Sequence, residues 1–375
     1  MSADSTTIVE ATASYEDWLA RQTPLVSADL ALKHARMSAD RFAYFRATYY
    51  RWAERWPAVC PELASTPIVL GVGDLHFENF GTWRDRETRL VWGVNDFDEA
   101  FPLAYANDLV RLATSVLLAI QTDHLALRPS LACTAILAGY HGGLTAGGRP
   151  FVLAEDHPWL RRLASVRLRG FARFWSRLSR PPSPVEPPPE VPQVLKSDLP
   201  DPDVPIVLFS RVAGEGSLGH QRWVTMQDWC GAKLAREAKA RAPSASVWSA
   251  TTAPGGDDRA AAPEDPYAAI VARAVRAPDP FLRIEEGWLI RRLAPDCSRV
   301  ELTTLPGRKH EVALLEAMGW ETANVHLGTP DAQGALLQDL ERRADDWLLT
   351  ASRRMLRAVV ADWKVWSKHT SAPRD

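Results

Sequence analysis

The chain has 375 residues, 46% apolar and 24% charged, with a formal net charge of −2, which suits one bilobal unit or two domains and offers no basic field for nucleic acid or an anionic membrane. Four scattered cysteines without a CxxC pair point to a reducing compartment rather than a disulfide or zinc framework. No signal-peptide core and no apolar run long enough to span a bilayer occur, so a cytoplasmic location is expected.

Phe42, Phe45, Tyr49, Trp52 and Trp56 recur at steps of three and four, which predicts one amphipathic helix ending before Pro57. Residues 66–72 (TPIVLGV) and 89–95 (RLVWGVN) read as two short strands flanking a turn-like loop. Leu109, Leu112, Val116 and Ile120 open a helical stretch that continues, with Gly and Pro breaks, to about Leu178. Residues 181–205 are Pro-rich and read as an extended linker. Residues 206–213 and 221–226 form a predicted hairpin around a glycine cluster, and 243–265, rich in small and polar residues, a mobile loop. A short helix over 266–275 and strands near 281–293 and 300–304 complete a β-rich unit. Leu348, Ala351, Met355, Val359 and Trp363 then mark one face of a C-terminal helix.

Chemistry concentrates behind the first two strands. Asp74, His76, Glu78 and Asn79 follow one; Asp96, Asp98 and Glu99 follow the other. Such oxygen ligands suit Mg²⁺. An Asp followed five residues later by an Asn, then an Asp-Phe dipeptide after a second strand, is the spacing of kinase-type phosphoryl transfer. In that reading Asp74 orients or deprotonates the acceptor hydroxyl, while Asn79 and Asp96 hold the metal. Asp108 opens the next helix and is expected to cap it and brace the loop. His76 reads as a packed loop histidine, since no second His stands at ligand spacing.

Gly214-Glu215-Gly216-Ser217-Leu218-Gly219 matches GxGxxG, and a strand-like stretch rather than a helix follows it. The glycines are therefore expected to cap a hairpin whose backbone N–H groups cover ATP phosphates, with Gly214, Gly216, Ser217 and Gly219 as contacts. A cation on the next strand would neutralise those phosphates; Lys233 and Lys239 both qualify, and Lys239 is preferred. Glu237, two residues away, could share its strand face. The predicted helix over 266–275 contains no Glu to pair with the lysine.

The segments GVGDLHFENFGTW, VNDFDEAFPLAYANDLVRLATS, RVAGEGSLGHQRW, LAREAKARAPSA and IRRLAPDCSRVEL, in this order, resemble the bacterial domain-of-unknown-function 2252 family, which is grouped with kinase-like folds. The resemblance spans about residues 27–368. The first two segments also look like the catalytic and metal motifs of aminoglycoside- and choline-type kinases. It implies an α+β, protein-kinase-like bilobal fold with a small antiparallel β lobe and a larger helical lobe. Residues 1–180 would begin the helical lobe, 181–205 link, 206–305 form the nucleotide-binding lobe and 306–375 complete the helical lobe. The motif order is circularly permuted, because the glycine loop follows the catalytic segment. The function expected is ATP- and Mg-dependent phosphotransfer to a small molecule; the alternatives are a silent nucleotide-binding module and a metal-dependent hydrolase built on Asp74, His76, Asp96 and Asp98.

Overall fold

The computed structural model describes residues 6–153, 157–165, 171–179, 185–252, 264–297 and 308–371. Five helices open the chain: α1 (Ile8–Gln22), α2 (Ser27–Ala39), α3 (Arg41–Ala47), α4 (Tyr49–Val59) and α5 (Pro61–Ala64). A capping box starts α1, with the Thr7 side chain accepting from the Glu10 N–H and Glu10 reaching back to the Thr7 N–H. The single aromatic-faced helix expected over 42–56 is two helices broken at Thr48, whose hydroxyl donates to the Tyr44 carbonyl at 2.8 Å. Pro57 does not end the second of them. It lies inside the last turn of α4, where the missing N–H removes only one bond.

The strands β1 (Ile68–Gly71), β2 (Phe80–Arg84), β3 (Leu90–Val94) and β4 (Phe101–Ala104) come next. The two strands expected here exist but are not sheet neighbours: β1 pairs antiparallel with β4, and β3 with β2. The segment between them is therefore more than a turn. All of Phe80–Trp83 is buried, yet Gly81 and Thr82 interrupt the apolar pattern that would have marked β2. α6 (Tyr105–Gln121) follows, buried continuously from Tyr105 to Ala119, then α7 (Pro129–Ala146), β5 (Phe151–Val152), which joins β3, α8 (Pro158–Ser165) and α9 (Phe171–Leu178).

Within the Pro-rich stretch lies a helix, α10 (Val191–Lys196). Pro192 occupies its first turn, where a missing N–H costs nothing, so proline starts this helix instead of preventing it. Val191, Val194 and Leu195 are fully buried against Trp223, Ala238, Trp288 and Ile290. Those residues belong to a five-stranded antiparallel sheet of β6 (Leu208–Ser210), β7 (Arg222–Trp229), β8 (Ala232–Ala240), β9 (Arg283–Glu285) and β10 (Trp288–Leu293), in spatial order β6-β7-β8-β10-β9. The expected hairpin is present as β6–β7, with Phe209 opposite Val224. The opposite sheet face packs Phe209, Val224, Ala235 and Leu293 on Leu178 of α9.

Between β8 and β9 run α11 (Ala245–Thr252) and α12 (Pro266–Arg273). The loop expected over 243–265 thus begins as helix, because buried Trp248 anchors α11 edge-on against Tyr15 and Tyr50. Its residues 253–263, and the strand expected over 300–304, lie outside the described residues. The chain closes with α13 (Arg308–His326), α14 (Ala332–Glu341) and α15 (Trp347–Ser371). α13 crosses α7 backbone to backbone: a Cβ on Gly139 would lie 1.8 Å from the Glu316 carbonyl oxygen, and one on Gly319 2.0 Å from that of Ile136. The result is a mixed α+β protein with three small antiparallel sheets among the described residues. No helix among the described residues is long and apolar enough to cross a membrane.

Candidate active site

Burial of a whole helix leaves its polar side chains needing partners. On α6 they find them in the loop 72–79. The Asp108 carboxylate accepts from the Val72 N–H at 2.6 Å and the Gly73 N–H at 2.9 Å. One turn on, Arg111 donates through Nε and Nη2 to Asp74 Oδ1, the Nε contact being 2.7 Å. A further turn on, Ser115 Oγ accepts from the Phe77 N–H at 3.1 Å. Asp108, Arg111 and Ser115 are spaced three and four apart, so one helical stripe fixes the loop. Asp108 braces the loop as expected, but it makes no cap, since α6 has no side-chain N-cap bond. Gly73 turns the loop at φ +78°, and a Cβ there would lie 2.2 Å from the Glu99 carbonyl oxygen.

Arg111 is fully buried, its guanidinium 4.1 Å from the Phe45 ring centre and 5.0 and 4.9 Å from those of Tyr49 and Trp52. It holds only one oxygen of Asp74. Oδ2 is left toward the cleft, 3.8 Å from His76 Nε2. Burial raises the Asp74 carboxyl to about 6, against the opposing pull of Arg111. The Asn79 side-chain N–H donates to the Asp74 carbonyl, so its Oδ1 remains the acceptor end of the amide. His76 Nδ1 accepts from the Glu78 N–H at 3.2 Å, as a packed loop histidine does.

The second acidic loop is tied to the first, the Asn95 N–H donating to the Asn79 carbonyl at 3.1 Å. Asp98 forms an ion pair with Lys239 of β8, and Asp96 Oδ1 stands 4.0 Å from the same ammonium. Glu99 Oε2 accepts from the Ala245 N–H at 2.6 Å and from Ser244 Oγ at 2.9 Å, which docks the start of α11. Burial raises the Glu99 carboxyl to about 7.

The glycine hairpin folds over both loops. A Cβ on Gly216 would meet the Arg46 carbonyl at 3.0 Å and Asp74 Oδ2 at 3.5 Å, so the hairpin tip lies directly above the Asp74 carboxylate. Asp74, Asn79, Asp96, Gly214, Gly216 and Ser217 line one open-mouthed cleft. Ser217 Oγ is held from behind, accepting from Arg222 at 2.7 Å. Three positions stand apart from the cleft wall: Gly219, Lys233 and Lys239, the last reaching it only through Asp96 and Asp98. Gly219, at φ +104°, turns the chain against Leu30 and accepts from the Val26 N–H at 2.8 Å. Lys233 is surface-exposed, pairing with Asp228 at 3.1 Å.

Glu237 does not partner Lys239. It lies fully buried among Arg211, Arg222 and Arg291, at 2.5, 3.2 and 2.6 Å, and these guanidiniums hold its carboxyl far below the usual range despite burial. His220, at the cleft edge, is pushed down to about 4 by burial and is neutral. The sequence reading passed over Lys33, Arg46 and Arg111. Arg111 carried a signal, its spacing from Asp108 and Ser115 on a largely apolar helix; Lys33 and Arg46, on α2 and α3, carried none. Among the described residues no cluster of three or more His, Cys, Asp and Glu side chains is arranged to hold a metal.

Residues 25–146 match the model of a family described as an uncharacterized protein conserved in bacteria (DUF2252). The matched segment carries Asp74, Asn79, Asp96 and Arg111, while the glycine hairpin and Lys239 lie beyond it. No curated protein and no solved structure matches the chain.

Proposed function

We propose that the protein is an ATP- and Mg²⁺-dependent phosphotransferase acting on a small molecule. One observation carries the reading: Asp74, Asn79 and Asp96 share a cleft with a glycine hairpin far from them in the sequence, and Lys239 pairs with the acidic loop beneath it. A kinase-like bilobal arrangement in permuted order is part of the proposal. Its support is the sheet, in which a glycine hairpin (β6–β7), a lysine strand (β8), a helical connection and a second hairpin (β9–β10) follow one another.

The residues fit the roles. Asn79 Oδ1 and the Asp96 carboxylate supply hard oxygen ligands, so these two would hold Mg²⁺, which would draw charge off the phosphates. Asp74 Oδ2 faces the acceptor. As the acceptor oxygen bonds to the terminal phosphorus, its proton passes to Oδ2 and the bond from that phosphorus to the bridging oxygen breaks. A carboxyl near 6 is ionised at neutral pH and still basic enough to take that proton. Arg111 fixes the angle of Asp74 through the other oxygen.

A second reading, a nucleotide-binding module without turnover, has its own support: α11 and α12 contain no Glu, and Lys239 is engaged by Asp98 instead. Transfer of the terminal phosphate of ATP to a panel of hydroxyl- and amine-bearing metabolites separates the two. Asp74→Asn should lower transfer by about a thousandfold while nucleotide binding persists. Binding without transfer to any metabolite would favour the silent module.

A further inference from the structure

Lys33 lies outside every motif, yet it lines the cleft. Its side chain is carried on α2 and the residue is 3% exposed. Nζ donates to the Gly216 carbonyl at 3.4 Å, the one hydrogen-bond acceptor it has among the described residues. Beneath it lie the rings of Tyr15 and Tyr50, 6.0 and 5.8 Å away. An ammonium has three donors and is strongly hydrated. Burying one with a single long contact is unfavourable unless something else engages it.

The acids facing it are Glu16, Glu99 and Asp74, none within ion-pair distance. Burial lowers its ammonium from the ordinary lysine range, and those three carboxylates only partly oppose the shift. The hairpin tip sits between this ammonium and Asp74: Gly216 gives its carbonyl to Lys33 and its Cα hydrogen side to Asp74 Oδ2.

α2 and the residues leading into it are also tied to the hairpin. Leu25 bridges to His220, the Val26 N–H donates to the Gly219 carbonyl at 2.8 Å, and Arg36 pairs with Glu215 at 2.7 Å. These contacts fix the lysine relative to the hairpin backbone, the part of a glycine loop that covers phosphates. Two lysines thus stand at the cleft: Lys239 of β8 behind it, at Asp96 and Asp98, and Lys33 of α2 in its wall, at the Gly216 carbonyl.

We propose that Lys33 is a second phosphate-facing lysine, which contacts the terminal phosphoryl group of the nucleotide from the acceptor side and neutralises charge on it during transfer. The proposal rests on the phosphotransferase reading. Charge spread over the oxygens of the migrating phosphoryl group is what a fixed cation at this position would stabilise.

The test uses wild-type protein and an ATP analogue acylated on its terminal phosphate. A lysine amine that reaches that phosphate attacks the carbonyl carbon; a nitrogen–carbon bond forms, the carbon–oxygen bond to phosphate breaks, ATP departs and the amine proton goes to water. Peptide mass spectrometry then locates the acyl group. Acylation of Lys33, suppressed by excess ATP, is the expected result. Acylation of Lys239 alone overturns the proposal and leaves the phosphotransferase reading standing. Acylation of neither overturns both. As a second measurement, Lys33→Met should slow turnover of ATP by about 100-fold with little change in nucleotide affinity, Lys33→Arg recovering part of the loss. An equal loss of affinity would assign Lys33 to ground-state binding and contradict the proposal.

Discussion

Two buried carboxylates in this molecule are both embraced by arginine, and they end in opposite states. Glu237, on the central strand of the five-stranded sheet, has three guanidiniums on its two oxygens and is held strongly ionised. Asp74, at the cleft floor, has one guanidinium on one oxygen, and burial raises its carboxyl to about 6. Saturating both oxygens makes a carboxylate a structural anchor. Leaving one oxygen toward a cleft keeps a group that can exchange a proton, which is the condition chemistry needs.

Substitutions that break this contrast should differ in size. Glu237→Ala leaves Arg222 buried without its counter-charge, and should cost about 3–5 kcal/mol in denaturant unfolding. Arg111→Met should cost somewhat less, about 2–4 kcal/mol, because Asp74 can respond by keeping its proton. A carboxyl-carbon NMR titration should show Asp74 titrating at higher pH in that variant than in the wild type.

The pH dependence sharpens the contrast, since the signs oppose. The Glu237 carboxyl is lowered, so its stabilisation is present above the ordinary glutamate value and is lost as pH falls below it. The Asp74 and Glu99 carboxyls are raised, so their contribution is full below the ordinary carboxylate values and is lost as pH rises through about 6 and about 7. Glu99→Gln keeps an oxygen for the Ala245 N–H and Ser244, and should flatten the fall in stability between pH 5 and 8 by about 2–3 kcal/mol, followed by unfolding at stepped pH. At the small end, Arg36→Ala removes a half-exposed pair with Glu215 and should change stability by under about 1 kcal/mol.

The same contrast explains what could be read from the sequence. Asp74, Asn79 and Asp96 were legible because each follows an apolar strand at a spacing that carries chemical meaning, and Gly214–Gly219 because a strand follows the glycines. The Arg–Glu237 cluster was not, since Arg222, Glu237 and Arg291 come from three strands whose register only folding sets, and Arg211 from the loop after β6. Lys33 reaches the cleft only because α2 docks on the hairpin, a contact between residues some way apart in the chain. β4 and α10 were missed for local reasons: Pro102 and Pro192 argue against regular structure by composition, whereas an edge-paired strand and the first turn of a helix both accommodate proline.

If one cleft binds nucleotide with metal through both halves of the chain, a melting-temperature titration with ATP and Mg²⁺ reveals it. Wild type should gain stability with ligand concentration, about 2.7 kcal/mol at a hundredfold excess over Kd. Asp96→Ala, on one half, and Gly216→Val, on the other, should each lose most of that gain. No shift in the wild type, or equal shifts in all three proteins, would contradict the account.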